Sequence, residues 1–265
     1  MALQTDPSGV PRLIGENTSE YSDLRFGSVG ISSGGVLMLG GDDTVDGAQT
    51  NDLIFGNEGE DILRGNFGND SLLGGKGKDA ILGGDGNDSI NGGQDGDVIF
   101  GDGGNDILVG GKGNDFLVSG SGNDTLVGGV GRDFLAGFDD NNYLKIGGSN
   151  LYVLQAEPGV TDVNNADIIV NFRPAFDKIG LADGLTINDV VLESLTNVSI
   201  TVQFEFPQAA GSFIPPDQLR PLSAVTSGTA IKLRNSGEFI GFVEAVTPAQ
   251  LQNSILNSII SVQGF

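Results

Sequence analysis

Eleven aspartates stand nine residues apart along the chain: Asp43, Asp52, Asp61, Asp70, Asp79, Asp88, Asp97, Asp106, Asp115, Asp124 and Asp133. A carboxylate at the same place in many short units is one oxygen ligand offered many times, and that suits a hard cation. Calcium takes about six to eight oxygens and accepts carboxylate mixed with backbone carbonyl; magnesium prefers a rigid octahedron and retained water. The chain has no His and no Cys, so softer metals find few suitable ligands.

The elements that must position these carboxylates follow from the same period. Residues 38–146 divide into nine-residue frames that begin at Met38. The first position is nearly always Gly, and the fourth is usually Gly, with Thr50, Asp95 and Asp140 as departures. The sixth is Asp until Asn142, and the eighth is always aliphatic, from Val45 to Leu144. Glycines at positions one, two and four permit positive φ and close backbone approach, so the first six residues are predicted to form a tight turn. The last three are extended, with the eighth side chain inward and the seventh and ninth outward.

A three-residue strand cannot bury itself. Two nonapeptides therefore make one coil of eighteen residues, and the coils stack as two facing parallel sheets. One edge then carries Asp43, Asp61, Asp79, Asp97, Asp115 and Asp133, and the other Asp52, Asp70, Asp88, Asp106 and Asp124. Carboxylates one strand spacing apart, ~4.8 Å, repel by roughly 3.5 kcal/mol at an effective dielectric of ~20, which opposes stacking unless cations sit between the rungs. The turns also expose carbonyls with no side chain in the way. Those of Gly59, Gly68, Gly77, Gly86, Gly104, Gly113, Gly122 and Gly131 are the candidate backbone ligands.

The pattern is the nonapeptide G-G-x-G-x-D-x-U-x, and over about two fifths of the chain it resembles the RTX (repeats-in-toxin, hemolysin-type) calcium-binding proteins. The tail resembles C-terminal regions of cyanobacterial members, through Asp167-Ile-Ile-Val-Asn-Phe172 and the run from Asp177 to Leu185. The resemblance implies an all-β chain: a right-handed parallel β-roll, then a small β-rich C-terminal region with a terminal helix. It implies one calcium between each turn and the next coil's. Six aspartates leave five gaps and five leave four, so up to about nine ions. The turn Gly47–Asp52 lacks most glycines and the turn Gly137–Asn142 lacks the Asp, so weak or missing sites are expected there. It also implies an extracellular protein, exported by the type I route through an uncleaved C-terminal signal.

Composition narrows the alternatives. A net charge of −22, from 35 acidic and 13 basic residues, argues against nucleic acid or an anionic membrane as partner. With 44 Gly yet 38% hydrophobic residues, the chain has something to bury and is not a disordered linker. No disulfide, thiolate site, zinc-His cluster or Ser-His-acid triad can be built. No apolar run approaches the ~18 residues of a membrane span. The first twenty residues lack the basic start and apolar core of a secretory signal peptide. Asx-turns alone are a plainer account of the Asp row. Ice binding would need a row of identical outward residues, and position three, from Gly40 to Val130, offers none.

Three segments are expected: an N-terminal cap (1–37), the roll (38–146) and a β-rich region (147–265) that carries the export signal or a capping helix. In the last, strands are predicted at Leu151–Leu154, Asp167–Phe172, Asp177–Leu181 and Val198–Phe206. A hairpin should pair Ala230–Leu233 with Phe239–Val243. Thr247-Pro248 reads as the start of a helix that continues through Leu251, Ile255, Leu256, Ile259 and Ile260. In the late coils Val98/Phe100, Phe116/Val118 and Phe134/Ala136 point outward, an apolar face to be covered by the C-terminal segment or a second molecule. The expected function is a non-enzymatic, secreted calcium-binding protein with a structural or surface role. The alternatives are a carbohydrate-active lyase or epimerase linked to the repeats, and an adhesin. The acidic residues Glu157, Asp162, Asp167, Asp177, Asp183, Asp189 and Glu193 form no paired-carboxylate motif and read as turn and surface groups.

Overall fold

The computed structural model describes residues 2–5, 11–14, 21–23, 35–137, 148–202 and 222–259. Two eleven-stranded sheets face each other as a parallel β-solenoid. Successive nonapeptides alternate between the sheets, and paired residues lie eighteen apart: Leu72, Ile90, Leu108 and Leu126 in one sheet, Ile81, Ile99, Leu117 and Leu135 in the other. These aliphatics are fully buried and join one core cluster that runs the length of the roll. Their depth follows from the pleat: every eighth position points at the opposite sheet.

Most of the extended segments are longer than expected. Leu53–Glu58, Ser71–Lys76, Ser89–Gln94 and Ile107–Lys112 each have six residues. Pairing thus continues through position three of the following frame, and the tight turn shrinks to the Gly-x-Asp part. Position two bends the strand at positive φ, and Asn57, Asn66 and Asp102 stand there where other coils have Gly. These residue types tolerate that conformation best after Gly.

Neither sheet stops at residue 146. Leu151–Leu154 pairs with Thr125–Val130, then Lys178–Leu181 and Ile255–Ile259 follow; in the other sheet Ile168–Val170 pairs with Phe134–Ala136. The next inward place after Leu126 belongs to Tyr152, not to Leu144, which lies outside the described residues together with Asp140 and Asn142. The expected hairpin is present, with Leu222–Leu233 antiparallel to Phe239–Glu244, and a long strand, Val190–Val202, pairs beside it. Gln203 to Phe206, the end of the predicted Val198–Phe206 strand, lies outside the described residues.

The terminal helix is real but short. Thr247 caps it through the Gln250 N–H, and it covers only Pro248–Gln252. Residues Ile255–Ile259 form a strand instead. Their apolar positions satisfied a helical spacing, but pairing onto Ile179 and Leu181 wins; Ile260 and the terminus lie outside the described residues.

Phe100, Phe116 and Phe134 are 3–4% exposed. Phe116 stacks on Phe134 at 5.1 Å and meets Phe100 edge-on at 6.1 Å. They share a cluster with Val198, Ala230 and Phe242, and partly buried Leu195 and Phe239 pack against it.

Candidate metal centre

Each turn places its aspartate at the edge of the roll, and each carboxylate does two different things. One oxygen joins neighbouring coils. On the first edge Asp43 N–H donates to Asp61 Oδ1, Asp61 to Asp79, Asp79 to Asp97 and Asp97 to Asp115, all at 2.8 Å, and Asp115 to Asp133 at 2.9 Å. On the second edge the same bond joins Asp52 to Asp70, Asp70 to Asp88, Asp88 to Asp106 and Asp106 to Asp124, at 2.7–3.0 Å. All eleven predicted aspartates are thus brought into two ladders.

The other oxygen is left over. The Oδ2 atoms of Asp61, Asp70, Asp79, Asp88, Asp97, Asp106, Asp115 and Asp133 are buried with no hydrogen-bond partner. A buried acceptor without a donor costs about 1–3 kcal/mol, more when it carries charge. Each Oδ2 faces the position-one glycine of its own turn. A Cβ built on Gly74 would lie 2.2 Å from Asp79 Oδ2 and 2.6 Å from the carbonyl oxygen of Gly92, one coil on. Gly56, Gly65 and Gly83 repeat that arrangement. A side chain at position one would fill the space where these two oxygens converge.

The position-four carbonyls behave differently. Those of Gly59, Gly68, Gly86, Gly104 and Gly113 point at the α-carbon of the equivalent glycine in the next coil, 1.6–2.0 Å from where its Cβ would stand. Gly122 points in the same way at Gly148. Among the described residues no three carboxylates converge. A cation held here must therefore take most of its oxygens from the backbone, which fits calcium. The position-one carbonyls belong to that oxygen supply and escaped the sequence reading, because a glycine pattern does not say which way its carbonyl turns.

Burial makes the carboxylates reluctant to ionise. Desolvation, the largest cause, pushes Asp61, Asp70 and Asp115 up to about 7, Asp79 and Asp106 to about 8 and Asp97 to about 9. Accepting the neighbour's N–H works against the rise throughout. Asp133 and the buried Asp167 are raised well above the usual carboxylate range by desolvation, with Coulombic repulsion from neighbouring carboxylates adding to it. Asp124 reaches only about 6, because the Ser119 hydroxyl adds to the Asp106 N–H in stabilising the anion. Ser119 stands at position one in place of glycine. A divalent cation would reverse the balance by favouring the ionised form.

The ladders run past the repeats. Asp133 N–H donates to Asp167 Oδ1 at 3.0 Å, Asp124 N–H to Asn150 Oδ1 at 3.1 Å, and Asn150 N–H to Asp177 Oδ1 at 3.0 Å. The rung after Asp124 is therefore Asn150, not Asn142. Two turns that lack glycine at positions two and four close on themselves. Asp52 Oδ2 accepts the Ala48 N–H at 2.6 Å, and Asp177 Oδ2 accepts the Arg173 N–H at 2.7 Å. In both, the donor stands four residues before the rung.

Sequence reasoning also missed a row of asparagines. On the second edge Asn51, Asn69, Asn87, Asn105 and Asn123 occupy position five, exposed, and each Oδ1 accepts a backbone N–H from the next coil at 2.7–2.9 Å. The signal lay at a period of eighteen rather than nine.

The family model of the RTX calcium-binding nonapeptide repeat matches at residues 39–72, 55–90, 64–99, 82–117 and 118–148. Together these matches span residues 39–148, about two fifths of the chain. In RTX terms, the carboxylate ladders are built by the matched segments and extended by Asn150, Asp167 and Asp177 beyond them. None of the curated proteins matches the chain. Among solved structures it is similar to the extracellular lipase LipA from Serratia marcescens, at 16% identity over 83% of this chain and 40% of that one, with a TM-score of 0.32. The chain thus spans two fifths of that enzyme's length, and a likeness of that score carries no argument about activity.

Proposed function

We propose that this is a secreted protein whose RTX array folds around calcium ions held between successive coils. Its role is structural or interactive rather than catalytic. The observation that carries the reading is the column of buried Oδ2 atoms without partners, one per coil on each edge. Each lies beside a glycine that leaves room, and at most of them a carbonyl of the next coil supplies a second oxygen. The ladder aspartates would provide the charge, and the carbonyls at positions one and four the neutral ligands. Bound calcium supplies a positive charge that lets adjacent carboxylates stay ionised in a desolvated place.

The same residues explain a dependence on compartment. Without calcium, stacking forces the buried carboxyls either to take up protons or to stay ionised without a partner, so the array is unstable and threadable for export. Ligand that binds the folded state alone stabilises it by about 2.7 kcal/mol per site at a hundredfold excess over Kd. With several sites, extracellular calcium folds the roll. The apolar face at Phe100, Phe116 and Phe134 is then covered within the chain, by the long hairpin that contributes Val198 and Leu195.

The lyase or epimerase reading finds little to favour it in the tail, whose acidic groups have other work. Asp167 and Asp177 are ladder rungs, and Asp162 and Asp189 brace short 3-10 turns. Glu193 pairs with Lys232, and Glu157 accepts the Gly131 N–H at 2.5 Å. Far-UV circular dichroism in EDTA and then in millimolar calcium tests the proposal. A gain of β signal on adding calcium is expected; an unchanged spectrum sinks it.

A further inference from the structure

The last two gaps of the second ladder differ in charge from every gap before them: each has one aspartate and one neutral asparagine, where each gap of the array has an aspartate on both sides. In the final gap the upper rung is Asn150 and the lower rung is Asp177. Between them lies the guanidinium of Arg173. Its Nη2 donates to Asp177 Oδ1 at 2.8 Å and to the carbonyl oxygen of Gly148 at 2.7 Å, and its Nε reaches Asp177 Oδ2 at 3.2 Å.

Gly148 is two residues before Asn150, as Gly59 is two before Asp61, and it takes up the position-four stack after Gly122. The guanidinium therefore joins a position-four carbonyl of one coil to the ladder carboxylate of the next. These are the oxygen types that surround each gap of the array. The charges also balance: one positive group faces one carboxylate and one amide, where a divalent cation would face two carboxylates. Asp177 is fully buried, so this compensation matters far more than for a surface pair.

We propose that Arg173 is a built-in counter-ion. Its guanidinium holds, in the gap between Asn150 and Asp177, the place that calcium takes in the array, so the coil of residues 148–181 closes without metal. The proposal rests on the calcium reading of the ladders. It makes the C-terminal coil a preformed end on which the array can stack as calcium arrives.

Hydrogen exchange on the full chain, in EDTA and in calcium, tests it. In EDTA, amides of Leu151–Leu154 and Lys178–Leu181 are expected to exchange at least tenfold more slowly than those of Ser71–Val118. Arg173→Gln should lose that protection in EDTA and regain most of it in calcium, while a salt bridge of purely structural value would be lost equally in both. The double variant Asn150→Asp, Arg173→Gln restores two carboxylates to the gap and, since position 150 also borders the gap to Asp124, should bind one more calcium than Asn150→Asp alone by titration calorimetry. An array that responds to calcium while the 148–181 coil exchanges at the array's rate in EDTA overturns the proposal alone. So does a calcium count in the double variant no higher than in Asn150→Asp alone. An array indifferent to calcium overturns the reading of the ladders and this proposal with it.

Discussion

Asp97→Asn should change the sign of its effect with calcium. Asp97 sits mid-ladder: its Oδ1 accepts the Asp79 N–H at 2.8 Å and its Oδ2 has no partner. Asparagine keeps the accepting oxygen and removes the charge. Without metal at pH 7, a carboxyl pushed from 3.8 up to about 9 is largely protonated when folded. Taking up that proton against an unfolded pKa near 3.8 costs about 4 kcal/mol, at about 1.4 kcal/mol per pH unit. Asparagine avoids that cost, but its Nδ2 inherits the unpartnered place, which takes back about 1–3 kcal/mol. The variant is therefore more stable than the wild type in EDTA, by about 1–3 kcal/mol. In calcium the order reverses. Asp97 borders two gaps, each contributing about 2.7 kcal/mol at a hundredfold excess over Kd, so the loss reaches about 5 kcal/mol. Urea unfolding followed by far-UV circular dichroism, in EDTA and in calcium, measures both. Where EDTA leaves the chains unfolded, refolding with trimethylamine oxide gives the same ordering. A variant less stable than the wild type under both conditions refutes the argument.

Other outcomes follow from the same geometry. Gly86→Ala should prevent a folded roll, because its Cβ would stand 1.6 Å from the Gly68 carbonyl oxygen at φ 146°; Gly184→Ala, at φ 77° with nothing within 4 Å, should cost only about 1–2 kcal/mol in thermal melts. Leu108→Ala, in a fully buried rung of the core, should cost about 2–5 kcal/mol in calcium by urea unfolding. The metal-free roll should be most stable in acid. The folded carboxyls titrate at about 6 to 9 and the unfolded ones near 3.8, so their contribution is complete below about pH 4 and is lost as pH rises through 6 to 9. Melting temperatures in EDTA should fall from pH 5 to pH 8.5, and in calcium they should rise over the same range, as protons stop competing for the ligands.

How much of this was legible in the sequence depended on whether a feature repeated. The coils from Met38 to Ala136, the inward aliphatics and both aspartate ladders followed from spacing alone, because one short unit met the same neighbours each time. Beyond Ala136 the roll continues, but its steps are uneven: 26 residues from Asp124 to Asn150, 27 on to Asp177 and 34 from Asp133 to Asp167. The spacing between these rungs varies and most turn glycines are gone, so nothing periodic marked Asn150 or Arg173. Ile255 to Ile259 misled for another reason. Short apolar runs fit both periods, and a waiting sheet edge at Ile179 and Leu181 decided between them.

The coil of eighteen gives the roll a parity. Any residue's sheet, edge and neighbours depend on whether an even or odd number of nonapeptides precedes it. Two repeats gained or lost together in mid-array would leave every later side chain on its own side. One repeat gained or lost would carry everything after it to the opposite wall. Phe116 and Phe134 would turn away from Phe100, the asparagine row would break across two edges, and the gap that Arg173 fills would end the wrong ladder. The nonapeptide is the unit in which the chain is written, but the pair is the smallest unit in which it can be edited.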